Sequence, residues 1–405
     1  MERDLDVIVF GATGFVGKLT AQELLRSAPE GTRIALAGRD RDKLQRTAEE
    51  VGASHLPIVI ADASDEASLA AMVERTKALI STVGPYARHG RPVVAACARA
   101  GTHYVDLTGE VLFTRDTIDD CDSTAQESGA TLVLSCGFDC VPSDLGVLLA
   151  ADAAAEAGAG ELLATTTHLR DMAGGFSGGT YATMLDQVET ARRDQQAAAL
   201  IADPYALSPD RSAEPERPGR RAPGVLLETS PDTGELAGPF VMGDFNAQVV
   251  RRSNALQGWR YGRAFRYREV SDAGHGVRGV VGGLVRAAMM PVAATILSLP
   301  GGRKLAERAL PSPGEGPSEK ARAKGRFTLE VHAQTTSGRT VVARVSDTRD
   351  PGYGSTAVML SQAALALAAG EALRPGVVTP AAGLGQPYAQ RLRDHGLRLE
   401  ATVAA

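Results

Sequence analysis

The stretch Val7-Ile8-Val9-Phe10-Gly11-Ala12-Thr13-Gly14-Phe15-Val16-Gly17 decides the fold. An apolar run enters a GxxGxxG spacing directly, and Lys18 to Leu25 continues with a helical pattern. Strand, glycine turn and helix in that order make a dinucleotide-binding turn. Gly11 permits the tight turn, Gly14 lets the backbone come up to a pyrophosphate, and Gly17 lets the helix pack on the strand. Backbone N–H groups at the start of the helix then face the phosphates.

The next strand selects the nucleotide. Arg33-Ile34-Ala35-Leu36-Ala37 reads as strand two and leads into Gly38-Arg39-Asp40-Arg41-Asp42-Lys43. A site for NAD places Asp or Glu at this tip, to bond the ribose 2′-hydroxyl. Here the tip is Gly38, and Arg39 follows. A guanidinium fork matches a 2′-phosphate, and Lys43 brings a second positive charge one helical turn on. The same residues also read as a solvated basic cap diluted by Asp40 and Asp42. The arginine favours NADP(H) over NAD.

Strands and helices alternate through the first third of the chain. Leu56 to Ile60, Ala78 to Val83, Thr102 to Leu107 and Thr131 to Ser135 are aliphatic enough to be covered on both faces. Helical stretches at 67–76, 92–100 and 113–128 separate them. The pattern predicts a doubly wound parallel sheet in an α/β fold. After Asp144 it changes. An alanine-rich helix at 150–157 precedes an alternating strand, Leu162 to Leu169. A glycine-rich loop from Gly174 to Thr180 and a helix from Tyr181 to Leu200 follow. Val241 to Val249 and Tyr261 to Val270 look like strands. Arg326 to Gln334 and Thr340 to Ser346 make an antiparallel hairpin around Ser337-Gly338. Helices are expected at 355–369 and 386–395. The expected division is 1–145 for the nucleotide domain and 146–350 for a second α+β domain with a mixed or antiparallel sheet. Residues 351–405 are expected as C-terminal helices that return to the first domain.

The bulk numbers exclude more than they assign. The chain has 405 residues, 44% hydrophobic and 22% charged, with a net charge of −5. These are ordinary for a globular protein, and the charge gives no reason to expect nucleic acid. The cysteines at 97, 121, 136 and 140 form no CxxC pair, and no metal site is expected. Met1-Glu2-Arg3-Asp4 leads directly into a core strand, so a cytoplasmic protein without a signal peptide is expected. Gly279 to Pro300 is long and apolar, but Arg286 and Pro291 interrupt it, leaving too little to span a bilayer. Ordinary core is the first reading; a lining for a greasy substrate or peripheral contact with the inner face of a membrane is the second.

Several motifs together make a resemblance specific. GATGFVG at 11–17, AGR at 37–39, the STVGPY run to Gly90, YVDLTGE at 104–110 and GFDCVPSDLG at 137–146 resemble the saccharopine dehydrogenase-like reductases. GEGPS at 314–318, DPGYGSTAVML at 350–360 and VVTPAAGLG at 377–385 are similar to one branch, the trans-acting enoyl reductases that work beside polyketide synthases. The resemblance implies a Rossmann domain, a second α+β domain inserted after strand six, and NADP(H). It places Gly11, Thr13, Gly14, Phe15 and Val16 at the phosphates, Arg39 at the 2′-phosphate and Asp62 and Ala63 at the adenine-side loop. Val83, Gly84 and Pro85 fall beside the nicotinamide.

Chemistry is less legible. Conjugate reduction of an enoyl thioester places negative charge on the thioester oxygen and a proton on the α-carbon, which calls for a hydrogen-bond donor and a general acid. Each tyrosine lacks a lysine four residues on, so the YxxxK mechanism is unsupported. Tyr86 and His89 after strand four, and Asp139 with Cys140 and Ser143 after strand six, are the candidates. Ser177 and Thr180 in the glycine loop join them. Of these, Tyr86, His89 and Asp139 are the leading catalytic candidates. Three functions compete: NADPH-dependent reduction of a C=C bond in a hydrophobic acyl or polyketide substrate, free or bound to a carrier or synthase; reductive C–N chemistry as in saccharopine formation; and a non-catalytic NADP-binding scaffold. The C–N reading needs clustered basic residues, and Arg192-Arg193, Arg217 to Arg221 and Arg251-Arg252 are the runs available. The second domain is read as a site for substrate and for oligomerisation, with a homodimer left open.

Overall fold

The structure is a computed structural model that describes residues 3–174, 178–215, 227–274 and 318–404. In chain order the elements begin with β1 (Leu5–Phe10), α1 (Phe15–Ser27), β2 (Ile34–Gly38), α2 (Arg41–Glu50), β3 (Ile58–Ile60) and α3 (Glu66–Val73). Next come β4 (Thr76–Ser81), α4 (Tyr86–Ala100), β5 (His103–Asp106), α5 (Val111–Ser128), β6 (Thr131–Val133) and α6 (Val141–Glu156). The second half holds β7 (Leu162–Ala173), α7 (Gly178–Arg193), α8 (Gln195–Ala202), β8 (Glu228–Thr229), β9 (Leu236–Pro239), α9 (Gly243–Leu256) and β10 (Arg266–Asp272). The last elements are β11 (Arg326–Thr335), β12 (Thr340–Asp347), α10 (Thr356–Ala368), β13 (Gly376–Val378), α11 (Gly385–Asp394) and β14 (Arg398–Val403).

The chain divides into two compact units. Among the described residues, one comprises 3–141 and 352–396; the other takes 142–174, 178–215, 227–274, 318–351 and 397–404. The first unit is built on a seven-stranded sheet ordered β13-β6-β5-β4-β1-β2-β3, and every pairing in it is parallel. Val7, Ile8 and Val9 are fully buried because helices cover both faces. The strand order reverses between β1 and β4, the crevice where such sheets bind their ligands. Helix α4 ends on Gly101 and α5 on Gly129, both left-handed. Gly90 lies where a side chain would start 2.8 Å from the Phe113 ring, which lets α4 and α5 close on each other.

The second unit carries a seven-stranded mixed sheet, β14-β12-β11-β7-β10-β9-β8. Only β7 and β10 run parallel there; the other pairings are antiparallel. One face is apolar, with Leu329, Val331, Ala333, Val341, Ala343 and Val345 buried. Helices α6 and α9 meet on that side: Ser143 Oγ donates to Glu269 Oε1 at 2.8 Å, and Ser253 Oγ donates to Asp144 Oδ1 at 2.5 Å. The opposite face is polar. His168, fully buried, lies 2.8 Å from Asp272 Oδ1 through Nδ1, and 3.2 Å from Ser230 Oγ and 3.7 Å from Asp232 Oδ2 through Nε2. Burial alone would lower the His168 pKa, but the two aspartates overcome it and hold the imidazole above its ordinary value. Arg170 continues the network to Asp272 and to Glu235, so the β8–β9 turn is tied to the sheet by charge.

Four elements depart from the sequence reading. Val241 to Val249, expected as a strand, belongs largely to helix α9. That helix is buried nearly all round, from Gly243 to Ala255, so it has no polar face to set a helical period and its valines mimic a strand. The expected helix 181–200 is two helices, broken where Asp194 accepts from the N–H groups of Gln196 and Ala197. The strand expected at 261–270 begins only at Arg266, because Gly262 turns at φ +125°. The tail is not all helical: β13 joins the parallel sheet and β14 pairs with β12 in the mixed sheet. The apolar segment 279–300 lies outside the described residues. Among the described residues no helix is long and apolar enough to cross a membrane.

Truncating His168 to Ala leaves buried Asp272 and half-buried Asp232 without the imidazole between them. Breaking a buried pair this way costs about 3–5 kcal/mol, so the denaturant midpoint of His168→Ala should fall accordingly. A loss below about 1 kcal/mol, the range of an exposed pair, would show that the network does not hold the turn.

Candidate active site

The glycine turn is fixed from three sides through one carbonyl. Gly11 adopts φ +88°, and a side chain there would start 2.7 Å from Thr82 Oγ1 and 2.8 Å from Val83 Cγ2. The Gly11 oxygen accepts from Gly14 N–H at 2.9 Å and from Thr82 Oγ1 at 3.1 Å. A Gly17 side chain would start 2.3 Å from that same oxygen, so α1 rides directly on the turn. Gly14 differs: its missing Cβ meets only Gly11 O, at 3.3 Å, and the space beyond is open to a ligand. Gly14 is the N-cap of α1 and offers no side chain to it, and the first turn carries no acid. Backbone N–H groups at the helix start, with the positive end of its dipole, therefore suit a pyrophosphate. Thr13, Phe15 and Val16 line this turn half-buried, and the Phe15 ring meets the edge of Tyr353 at 4.8 Å between centroids.

At the tip of β2, Arg39 is exposed, and its guanidinium makes no hydrogen bond or ion pair with the described residues. Asp40 is occupied: it caps α2 by accepting Lys43 N–H at 3.0 Å, and its other oxygen lies 3.7 Å from Lys43 Nζ. Arg39 is thus the freer of the two cations. Asp62, just past β3, accepts from Ser64 N–H and Ser64 Oγ, which lower its pKa with help from the Arg39 charge. Ala63 beside it is half-buried.

Past β4, Val83 and Pro85 are half-buried, Gly84 is exposed, and the Gly84–Pro85 bond is cis. Tyr86 opens α4 and is buried, with its hydroxyl donating to Ser81 O at 2.9 Å and its ring beside Phe113. Burial and the nearby Asp106 drive its pKa well up. His89 is exposed on α4, near enough to Asp62 for its charge to be felt there. Glu110 closes the YVDLTGE motif but had no role in the sequence reading. It is buried, and its two oxygens accept Tyr86 N–H at 2.8 Å and Ala87 N–H at 2.7 Å, capping α4 from a different element.

The ends of β5 and β6 hold the other carboxyls. Asp106 is fully buried and accepts from Ser135 N–H at 2.9 Å, Thr108 N–H at 3.1 Å and Tyr104 Oη at 3.0 Å. Burial outweighs these donors and raises its pKa to about 7. Ser135 sits in the left-handed region at φ +64°, and its hydroxyl is buried without a hydrogen-bond partner. Asp139 follows in the turn before α6. Its carboxyl is half-buried and makes no hydrogen bond or ion pair with the described residues, and burial lifts its pKa to about 6. Cys140 is buried. Ser143 belongs to the second unit and is committed to Glu269. Gly178, Gly179 and Thr180 open α7, while Gly175 and Ser177 lie outside the described residues. The structure thus sets Gly11, Gly14, Arg39, Asp62, Val83 and Asp139 on the first unit, on the segments that follow successive strands of one parallel sheet.

Comparison with known proteins gives this architecture a family. Residues 7–133 match the saccharopine dehydrogenase NADP binding domain, so the first unit is an NADP-binding domain of that type and NADP(H) is the cofactor. Over its whole length the chain belongs to the trans-acting enoyl reductase family. It is 42% identical to a trans-acting enoyl reductase of Mycobacterium tuberculosis (strain ATCC 25618 / H37Rv), over 99% of this chain and 98% of that one. A second protein of that strain, provisionally given the same name, is 45% identical over 100% of this chain and 99% of its own. Among solved structures, the apo saccharopine dehydrogenase (L-Glu forming) of Saccharomyces cerevisiae superposes with a TM-score of 0.56. It shares 13% identity and covers 99% of this chain and 100% of that one, which is a likeness of fold. The protein is an NADP(H)-dependent oxidoreductase.

The Gly17 contact yields a direct check. Gly17→Ala sets a methyl carbon 2.3 Å from a backbone oxygen that cannot rotate aside. Overpacking of this kind costs about 1–3 kcal/mol. A lowered Tm and a lost stabilisation by NADPH are expected in thermal unfolding. An NADPH-induced Tm shift equal to that of the parent chain would show that the turn tolerates the change and is not the phosphate site.

Proposed function

We infer that the protein reduces a C=C bond in a hydrophobic enoyl thioester, held on a separate carrier or synthase as the family name of its relatives suggests. The observation that carries this reading is full-length kinship, spanning both units, with relatives named as enoyl reductases. When bound, NADPH supplies the hydride. Gly11, Thr13, Gly14, Phe15 and Val16 are assigned to the pyrophosphate, Arg39 with Lys43 to the 2′-phosphate, and Asp62 and Ala63 to the adenine side. Val83, Gly84 and Pro85 are assigned to the nicotinamide side.

Reduction at the β-carbon leaves the α-carbon in need of a proton. Among the three catalytic candidates, Asp139 alone combines a raised pKa with an unengaged carboxyl. It is the assigned proton donor. Tyr86 spends its hydroxyl on Ser81 O and is assigned to packing, and His89, exposed near Asp62, to the cofactor's adenine side. The C–N reading is weaker on one specific ground. Arg251 donates to the carbonyls of Pro204 and Tyr267, Arg252 donates to that of Leu207, and Arg193 pairs with Glu189, so these cations are engaged. Arg217 to Arg221, like 279–300, lie outside the described residues and receive no role here.

NADPH oxidation is to be measured against a long-chain enoyl thioester and against 2-oxoglutarate with lysine. Turnover with the thioester alone is expected; turnover with the keto acid and amine would replace this reading by C–N chemistry. A general acid must be protonated to act, so kcat should fall as pH rises through about 6. Asp139→Asn should lower kcat by about 10²-fold or more and flatten that limb.

Arg39 gives a separate check on the cofactor. A lost charge-assisted contact costs about 1.5–3 kcal/mol, so Arg39→Ala should weaken NADPH binding by about ten-fold to a hundred-fold and leave NADH nearly unchanged. Equal losses for both nucleotides, read by fluorescence titration, would remove Arg39 from the 2′-phosphate.

A further inference from the structure

Two residues outside the assigned catalytic set converge on the turn that bears Asp139. At its start, Asp106 holds the backbone twice: its carboxylate accepts Ser135 N–H at 2.9 Å, and its main-chain oxygen accepts Cys136 N–H at 2.6 Å. In its middle, Thr356 Oγ1 accepts Phe138 N–H at 3.0 Å, immediately before Asp139. Gly137 is gripped between the two anchors, since a side chain there would start 3.2 Å from Leu107 Cβ and 3.5 Å from the Thr356 methyl. The turn then closes on itself as Cys140 N–H donates to Gly137 O at 3.2 Å.

A plain connector between β6 and α6 has no need of this arrangement. Ser135 is left-handed without being glycine, which costs about 1–3 kcal/mol, and it buries a hydroxyl with no partner. Such outliers persist only where the surroundings over-determine them, and they collect at functional turns. Thr356 is itself firmly seated. It opens α10, a helix buried along its length, and Tyr388 Oη pins that helix by donating to Met359 O at 2.8 Å.

We propose that Asp106 and Thr356 are positioning residues, which clamp residues 135–140 at two points and thereby aim the Asp139 carboxyl at the reacting carbon. The proposal rests on the assignment of Asp139 as proton donor. It gives the DPGYGSTAVML segment a role in the reaction through Thr356, which itself touches no reacting atom.

The test is a double-mutant cycle on the full-length enzyme with NADPH and a long-chain enoyl thioester. Thr356→Val keeps the shape and removes the acceptor. It should lower kcat by about ten-fold to a hundred-fold, the range for a misplaced catalytic group, with NADPH affinity unchanged. Thr356→Ser restores the acceptor and should recover most of kcat. The double variant Asp139→Asn with Thr356→Val should be no slower than Asp139→Asn alone, because a residue acting through Asp139 has nothing left to aim. Circular dichroism and NADPH titration confirm that each variant is folded. If the two losses multiply, or if Thr356→Val turns over like the parent, the positioning role is wrong while the donor assignment stands. If Asp139→Asn itself retains full kcat, the donor assignment fails and the positioning proposal with it. Asp106→Asn, which retains one acceptor oxygen for Ser135 N–H, should lower kcat less than Asp106→Ala. The reverse order would remove Asp106 from the clamp.

Discussion

The oxygen of Gly11 is the point on which the nucleotide-binding unit depends. It accepts from Gly14 N–H within the turn and from Thr82 Oγ1 at the end of β4, and α1 passes so close that only a hydrogen fits at Gly17. One carbonyl therefore sets three distances: β1 to α1, β1 to β4, and the turn to itself. The crevice where strand order reverses is bounded by these same elements. Space for a pyrophosphate at Gly14 is the counterpart of crowding at Gly17, and both come from leaving out a side chain.

Buried or half-buried carboxyls elsewhere in this unit are used as ties between backbone segments. Glu110 caps α4, Asp106 joins the ends of β5 and β6, and Asp122 accepts Val377 N–H at 2.7 Å to dock β13. In each case the acid satisfies N–H groups that a helix start or strand edge leaves unpaired, which offsets part of the cost of covering it. Asp139 is a carboxyl of the same region without such work, and its raised pKa records burial with no compensating donor. Asp106 is committed to the backbone, whereas Asp139 makes no hydrogen bond or ion pair with the described residues. Composition alone cannot draw that line, because both are aspartates at or just beyond the end of an apolar strand.

Much of the first unit was legible because its signals are local. The glycine spacing, the aliphatic strands and the Arg39 tip are each read within a dozen residues, and the parallel sheet follows from their alternation. The hairpin around Ser337-Gly338 was equally plain, with Gly338 at φ +82°. What failed was long-range. β13 has three residues, too few to show a period, and it becomes a strand only because β6 is waiting for it. β14 does alternate, with Leu399 buried between exposed Arg398 and Glu400, but a terminal segment of that length competes poorly with the helix before it. The misreading of α9 has the opposite cause, burial so complete that periodicity vanishes. Tyr86 looked like a donor by its position after β4, and the engagement of its hydroxyl with Ser81 O could not be read from the sequence.

The C-terminal motifs show why resemblance outran physical reading. Nothing within DPGYGSTAVML announces a purpose, since its partners lie far away in the chain. Tyr353 meets Phe15 of the phosphate turn, and Thr356 meets Phe138 beside Asp139. Two residues of one segment, three positions apart, thus touch the turn assigned to the cofactor and the turn assigned to the proton donor. The chain reaches them only after traversing the second unit, and loop closure over such a length adds little entropy cost beyond that of a shorter one. Inserting a whole unit between β6 and α10 is therefore thermodynamically cheap, while the returning helix brings contacts that no residue of the first 141 supplies. The turn after β1 and the turn after β6 are thus both held by the short segment that leads into α10.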